Sequence, residues 1–126
     1  MGAPALEGGC LCGSVRYRLE GEPVWTAFCH CRSCRRATGA PVAAYAGFTV
    51  EQVSWTLGRP KFATTSAGVR RGFCPECGSQ LSYEGARWPG EIHIHIGSLD
   101  QPERVEPTGH AFASERPPWL KLKDLD

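Results

Sequence analysis

Seven cysteines in three short groups are the residues of this sequence whose types and spacing could do chemistry. The first group is Cys10 and Cys12, the second is Cys29, Cys31 and Cys34, and the third is Cys74 and Cys77. Thiolates this close together along a chain can share one metal ion, and zinc is the ion that such groups commonly bind. Disulfides are the alternative, and the default expectation of a reducing compartment disfavours them.

The outer four cysteines predict a closed, structural zinc site. Cys74-Pro-Glu-Cys77-Gly78 has the form of a zinc knuckle, in which a gap of two residues lets both thiolates reach one ion. Cys10 and Cys12 supply the other two ligands of a tetrahedral site. Binding of structural zinc contributes roughly 10–16 kcal/mol in small peptides, and a small domain is stable by only about 5–15 kcal/mol. We therefore expect loss of this site to unfold the chain.

The middle group predicts a different kind of site. Cys29, Cys31 and Cys34 lie within six positions, so they can bind one ion by themselves. Structural zinc takes four protein ligands, whereas catalytic zinc keeps three and leaves a position for water or substrate. The sequence thus favours an open, catalytic zinc site at these three residues, and two zinc ions per chain in total.

Other arrangements of the middle group stay open at this point. A histidine could close the site as a fourth ligand, whereas His30, between two ligating cysteines, should project elsewhere. The candidates for that fourth ligand are His93, His95 and His110. The three thiols could also form a metal-free redox cluster. In a further alternative, a zinc ribbon of Cys31, Cys34, Cys74 and Cys77, the other three cysteines would have no partners.

An open zinc site with three thiolates suits the activation of a thiol. The complex has a formal charge of −1, so it is a poorer Lewis acid than zinc held by neutral histidines. A thiol that binds zinc is deprotonated outright and becomes a nucleophile. Nearby arginines could offset the negative charge and attract an anionic thiol, although any one of them could be a solvated surface residue; they are Arg32, Arg35, Arg36, Arg70 and Arg71.

The succession of these motifs resembles a known family. The motifs are Gly9-Cys10-Leu-Cys12-Gly13, Cys29-His-Cys31-Arg-Ser-Cys34-Arg-Arg-Ala-Thr-Gly39-Ala-Pro41 and Phe73-Cys74-Pro-Glu-Cys77-Gly78. Together they resemble the glutathione-dependent formaldehyde-activating enzyme family, which shares its domain with centromere protein V. Gly97-Ser-Leu-Asp100 and the segment from His110-Ala-Phe to Pro118-Trp119-Leu are similar to the C-terminal half of that family. The resemblance spans residues 6–125.

The resemblance implies a fold and an activity. The fold would be β-rich, with small antiparallel sheets converging on zinc in a β-tent. The outer four cysteines would hold a structural zinc and the middle three a catalytic one. The reaction would be of the carbon–sulfur lyase type, a reversible addition of a thiol such as glutathione to formaldehyde that gives a hydroxymethyl thioether.

The elements that position these cysteines are predicted to be short strands. Alternation and apolar runs indicate strands at residues 15–19, 42–50, 53–57 and 91–96, and a further short one in the HAFAS segment. The best helix candidate covers residues 32–38 and ends at Gly39. The fold class is therefore mainly β, with few short helical turns.

The strand at residues 91–96 has the clearest alternation. Its isoleucines occupy one face, and His93 and His95 occupy the other. We interpret the histidines as a polar strand face, with a role near the open zinc, as proton carrier or ligand, as the alternative. His110 lies in the segment that resembles the family and is a further candidate for the active site.

Composition limits the classes of function. A chain of 126 residues with a net charge of +1 fits a single domain, residues 1–126, with no overall basic field. This disfavours nucleic acid as a partner. No apolar run could span a membrane and no secretory leader is visible, so we expect a cytoplasmic protein. A zinc-stabilised binding module with two purely structural sites is the alternative to an enzyme acting on a small thiol and a small carbonyl compound.

Overall fold

Residues 5–123 are described by a computed structural model, and their fold is mainly β, as predicted. One α-helix, α1, covers Arg32–Thr38, and four single turns of 3-10 helix lie between or after the strands. The strands are β1 Leu6–Gly9, β2 Arg16–Leu19, β3 Trp25–Cys29, β4 Ala43–Thr49, β5 Val53–Leu57, β6 Lys61–Ser66, β7 Val69–Phe73, β8 Gln80–Gly85, β9 Glu91–His95 and β10 His110–Ala111.

The strands form two sheets. The smaller sheet has the order β1-β2-β5, and the larger has the order β10-β3-β4-β9-β8-β7-β6. The pairings are antiparallel, as predicted, except that β10 runs parallel to β3. The predicted strands correspond to β2, β4, β5, β9 and β10, whereas β1, β3, β6, β7 and β8 were not predicted. β6 is mostly polar and exposed and lies at one edge of the larger sheet, and β7 beside it has two adjacent arginines, so both sequences lack a strong apolar alternation.

The main core lies between the two sheets. From the larger sheet, Phe48, Leu81 and Ile94 are fully buried there, and Tyr17 and Leu19 are fully buried from the smaller one. Strand pleating explains this set, because alternate side chains of β9 point to opposite faces of the sheet. The prediction that the isoleucines of β9 share one face is confirmed by this core.

The opposite face of the larger sheet carries a row of polar and aromatic residues. The register aligns Trp25 of β3, Gly47 of β4, His93 of β9, Tyr83 of β8 and Arg71 of β7 as successive cross-strand partners. All five belong to different strands, so antiparallel pairing brings together residues that are far apart in the sequence.

His93 and His95 form a polar face of β9, but that face is buried rather than solvated. The side chains lie on the face opposite the isoleucines, but His93 is only 4 % exposed and His95 only 8 %. Aromatic rings cover them: Trp25 packs edge-on against His93 at 4.4 Å between ring centroids, and Tyr45 lies 4.5 Å from His95.

The helix is formed where the sequence predicted it. Cys31 is its N-cap, and the Cys31 Sγ accepts a hydrogen bond from the Cys34 backbone N–H at 3.2 Å. Gly39 ends the helix in the left-handed conformation, with φ of 72°, and donates its N–H to the Arg35 carbonyl at 2.8 Å. The helix thus places the middle cysteine group directly after β3.

α1 has seven residues, and within residues 5–123 no helix is long and apolar enough to cross a membrane.

Candidate metal centres and active-site cavity

The outer four cysteines converge in the structure. Cys10 and Cys12 lie in the loop between β1 and β2, and Cys74 and Cys77 in the loop between β7 and β8. All four Sγ atoms lie within 4.8 Å of one another. The Sγ–Sγ distances are 3.7 Å for Cys10–Cys12 and 3.8 Å for Cys12–Cys74. A tetrahedral zinc with Zn–S bonds of about 2.3 Å separates its sulfurs by roughly 3.8 Å, so this donor set fits zinc.

Two copies of one tripeptide support this group, and both are visible in the sequence. They are Cys12-Gly13-Ser14 and Cys77-Gly78-Ser79. In both, the glycine is left-handed, with φ of 82° and 81°, and the serine hydroxyl lies 3.1 Å from the cysteine Sγ. The glycine turns the chain behind the thiol, and the hydroxyl can donate a hydrogen bond to it. The repeated Cys-Gly-Ser was a usable sequence signal.

The middle three cysteines form a second, separate group. Cys29 is the last residue of β3, Cys31 caps α1, and Cys34 lies in the first turn of α1. Their Sγ atoms all lie within 4.8 Å of one another, with 3.6 Å between those of Cys29 and Cys34. This spacing also fits the edge of a tetrahedral zinc–thiolate centre.

The second group contains only these three ligands among the described residues. No histidine, carboxylate or further cysteine at positions 5–123 has a ligand atom within 4.8 Å of all three sulfurs. The zinc-ribbon alternative is not formed, and all seven cysteines are free thiols. Of the histidines proposed as a fourth ligand, His110 instead places its Nδ1 3.0 Å from His30 Nε2, beside the N-terminal end of α1.

One buried cation faces the second group. Arg71 is 4 % exposed, and its two Nη atoms lie 3.7 and 3.8 Å from the Cys34 Sγ. The Tyr45 hydroxyl donates to the same sulfur at 3.5 Å. A hydrogen bond from Cys29, with further ones from Tyr45 and Arg71, lowers the pKa of Cys34 to about 5. Negative charge at this sulfur is therefore stabilised.

The predicted arginine cluster divides in the structure. Arg71 points to the second cysteine group, but its neighbour Arg70 points away, because successive strand residues face opposite sides of a sheet. Arg70 forms an ion pair with Glu84 at 3.1 Å, and its guanidinium lies over the Phe62 ring. Arg32 and Arg36 are exposed.

A cavity of about 690 Å³ opens over the second group. The three cysteines and Arg71 line one part of it, and the floor is the sheet face that carries His93 and Tyr83. Pockets of roughly 300–1,000 Å³ are typical for small-molecule ligands. The lining of this cavity therefore joins a thiol cluster, a buried cation and a set of aromatic rings.

A carboxylate–imidazole pair lines the same cavity and was not predicted as a unit. Glu91 Oε1 lies 2.9 Å from His93 Nε2 and accepts a second hydrogen bond from Trp25 Nε1, also at 2.9 Å. Burial lowers the pKa of His93, despite the nearby carboxylate, so the ring is neutral at neutral pH. With Nε2–H donated to Glu91, Nδ1 is the atom that can accept a proton. The alternation of β9 was the available signal, since it places Glu91 and His93 on one face.

The Gly97-Ser98-Leu99-Asp100 motif serves another part of the fold. The Ser98 hydroxyl lies 2.6 Å from the Tyr17 hydroxyl, and Asp100 forms a two-point ion pair with Arg16. These contacts fasten the segment after β9 to β2 of the smaller sheet. The motif therefore joins the sheets and does not line the cavity.

Comparisons with known proteins agree with the resemblance. The family model described as glutathione-dependent formaldehyde-activating enzyme matches residues 5–115. A Halomonas elongata protein named "Putative glutathione-dependent formaldehyde-activating enzyme" is 28% identical, over 96% of this chain and 83% of its own length. A crystal structure of a Rhodobacter sphaeroides protein superposes with a TM-score of 0.66, at 20% identity, over 83% of this chain and 99% of the other, which supports the fold.

Proposed function

The chain belongs to the glutathione-dependent formaldehyde-activating enzyme family, and from that premise we propose that it catalyses the reversible addition of a small thiol to formaldehyde or a related carbonyl compound. The observation that carries this proposal is the group of Cys29, Cys31 and Cys34 at the wall of a ligand-sized cavity, beside the buried Arg71. Glutathione or a similar thiol and a small carbonyl compound are the proposed partners.

We assign two zinc ions different roles in this proposal. Cys10, Cys12, Cys74 and Cys77 would hold a structural zinc that joins the two sheets. Cys29, Cys31 and Cys34 would hold the catalytic zinc, and zinc there would supply the acidification of an incoming thiol. The spacing of the sulfurs in both groups supports the assignment of zinc.

The protein's own residues account for charge and proton movement. Arg71 compensates the negative charge of the three thiolates, because it is their nearest buried cation. His93 takes up the proton of the thiol at Nδ1 and returns it to the carbonyl oxygen, while Glu91 holds the ring through Nε2. Trp25 fixes Glu91 in turn through its indole N–H.

The proposed reaction balances without an oxidant or reductant. The sulfur forms a bond to the carbonyl carbon, the carbon–oxygen double bond becomes a single bond, and the thiol proton ends on oxygen. In the reverse direction the carbon–sulfur bond breaks, which is the chemistry of a carbon–sulfur lyase. A neutral His93 at the cavity suits both directions, since it can accept and donate the same proton.

The experiment that tests this proposal is a titration of the cadmium-substituted protein with glutathione, followed by cadmium NMR. The two metal sites should give separate resonances because their ligand sets differ. We expect glutathione to shift only the resonance that is lost in Cys29→Ser. If neither resonance moves with glutathione or other small thiols, no thiol reaches the second metal, and a binding module with two structural zincs replaces the enzyme.

A further inference from the structure

The cavity is much larger than the carbonyl compound in the family name. Its volume is about 690 Å³, whereas one water-sized molecule accounts for roughly 30 Å³ of liquid. Formaldehyde has two heavy atoms and would fill only a small part of the space. The thiol takes up part of the remaining volume, and the nature of the walls indicates what else the cavity can bind.

One wall of the cavity is aromatic, and its Trp25 and Tyr83 pack against the second cysteine group. Trp25, Tyr83, Trp88 and His93 form a continuous cluster there, with ring centroids 4.4 Å apart for Trp25–His93, 5.4 Å for Tyr83–His93 and 5.3 Å for Trp88–His93. Such rings bind apolar, flat groups by stacking and edge contacts. Glutathione alone is rich in charges and amides, so it does not match this wall.

Phe112 at the rim is a second, independent observation. It is the one non-glycine residue in the described part of the chain with positive φ, at 57°, and its side chain is 44 % exposed while lining the cavity. The left-handed region is unfavourable for a residue that has a side chain. Ala111 before it pairs with Cys29, so the strained backbone places an aromatic ring next to the second cysteine group.

Cations at the rim of the same cavity can bind the anionic thiol. Arg32 and Arg87 both line it and are exposed, and the Arg87 guanidinium lies 5.5 Å from the Trp88 ring centroid. The carboxylates that line it are already engaged, since Glu115 accepts from the Arg32 backbone N–H and Glu91 from Trp25. Guanidinium groups bind carboxylates well. An anionic thiol can thus lie at the rim with its sulfur toward the cysteines.

From these observations we propose, building on the function proposed above, that the carbonyl partner is a bulky apolar aldehyde, preferentially an aromatic one. Its substituent occupies the chamber of Trp25, Tyr83, Trp88 and Phe112. The thiol adds across the aldehyde C=O: a carbon–sulfur bond forms, the C=O π bond breaks, and the thiol proton moves to the oxygen. The product is the thiohemiacetal of an aromatic aldehyde.

Two stable thioethers test the substrate class without depending on turnover. S-benzylglutathione carries an aromatic group on sulfur and S-methylglutathione does not, and isothermal titration calorimetry on the zinc-loaded full chain gives both dissociation constants. We expect S-benzylglutathione to bind at least tenfold more tightly, because burial of a phenyl ring is favourable. Equal affinities, or no binding of either thioether, would overturn the aromatic substrate class.

Matched variants locate the effect in the chamber. Trp88→Ala and Phe112→Ala should each weaken binding of S-benzylglutathione by roughly tenfold and leave S-methylglutathione unchanged. Trp119→Ala is the control, since Trp119 is exposed and lies outside the cavity. If Trp88→Ala fails to fold, Phe112→Ala still tests the proposal, because Phe112 is an exposed residue. An equal loss in Trp119→Ala would contradict the proposal.

The cadmium titration separates this inference from the function on which it depends. If glutathione shifts the resonance of the second site but the thioethers do not differ, the thiol chemistry stands and the aromatic substrate is wrong. If glutathione shifts neither resonance, the proposed function fails together with the inference.

Discussion

Arg71 is the residue on which the electrostatics of the second cysteine group depend most. Its guanidinium is buried against the Cys34 sulfur and also lies 5.0 Å from the Tyr83 ring centroid. Burial opposes its charge, but the neighbouring Tyr45 and Cys34 raise its pKa on balance. A cation that is buried beside thiols is matched to a negatively charged centre.

Replacement of Arg71 by methionine should weaken metal retention at the second group. Loss of the cation leaves the thiolate charge uncompensated, and neighbours of metal ligands typically change affinity by roughly 10–100-fold. We expect a chelator to remove the metal of the second group from Arg71→Met roughly 10–100-fold more readily than from the wild type. Zinc release to a colorimetric chelator measures this.

Arg70→Met is the matched control for this prediction. Arg70 is the next residue on the same strand, but it is exposed and paired with Glu84. The Arg70→Met variant should retain both metals as the wild type does. Equal retention in Arg71→Met and Arg70→Met would show that the buried cation does not act on the cysteine group.

His93 supports a prediction about proton transfer. His93→Gln keeps a side chain of similar length but removes the base, so we expect the enzyme-dependent exchange of glutathione with its formaldehyde adduct to slow by roughly 10²–10⁴-fold. Magnetisation-exchange NMR measures the rate, and the affinity for S-methylglutathione should not change.

Glu91→Gln and Glu84→Gln separate proton transfer from a loss of structure. Glu91→Gln should show a smaller loss of rate and an altered pH profile, because the amide still holds the ring but no longer stabilises its charged form. Glu84→Gln, on the neighbouring strand, should have a much smaller effect, because Glu84 pairs with Arg70 and acts on His93 only through space. A normal rate in His93→Gln would exclude the histidine as proton carrier.

At the scale of elements, the cross-strand row on the larger sheet determines the shape of the cavity. Trp25 and Gly47 are register partners in β3 and β4, and the indole of Trp25 lies flat across the glycine. A β-carbon on Gly47 would contact the indole atoms Cε2 and Nε1 at a distance that no real structure tolerates. Gly47 therefore allows Trp25 to reach Glu91 over the sheet.

Gly47→Ala should displace Trp25 from the cavity wall. We expect a loss of roughly 1–3 kcal/mol in the free energy of unfolding, as for other overpacking substitutions, together with a change in tryptophan fluorescence. Gly97→Ala is the control, since a β-carbon there meets no atom within 4 Å. Urea unfolding of both variants measures the effect, and equal stabilities would contradict the argument.

At the scale of the whole molecule, the two cysteine groups differ in what they connect. Cys12 and Cys74 are 62 residues apart and lie in loops of different sheets. Cys29 and Cys34 are only five residues apart. A crosslink that closes a long loop removes more entropy from the unfolded chain than one that closes a short loop. The first group should thus stabilise the fold far more than the second.

Matched cysteine substitutions test this asymmetry. Cys74→Ser should fail to fold, since structural zinc contributes an amount comparable to the whole stability of a small domain, roughly 10 kcal/mol. Cys29→Ser should remain folded and lose one of two metals and the activity. Circular dichroism and metal analysis of both proteins measure the outcome, and equal destabilisation would contradict it.

Much of this molecule could be predicted from local sequence. The spacing of cysteines within each group, the cap and end of α1 and the alternation of β9 all depend on residues that are close together in the chain. Steric and hydrogen-bonding rules over a few residues decide such features. The cysteine motifs also carried the family resemblance, which the family model confirmed.

The tertiary structure alone decided which side chains meet. Nothing in the sequence near Arg70 and Arg71 says which of them faces the thiols, because β7 lacks the apolar alternation that would orient it. The row of Trp25, His93 and Tyr83 depends on the register of separate strand pairs. A shift of one residue in any pair would send these side chains to the opposite face. The cysteine groups are thus local in origin, whereas the cavity beside them exists only through long-range pairing.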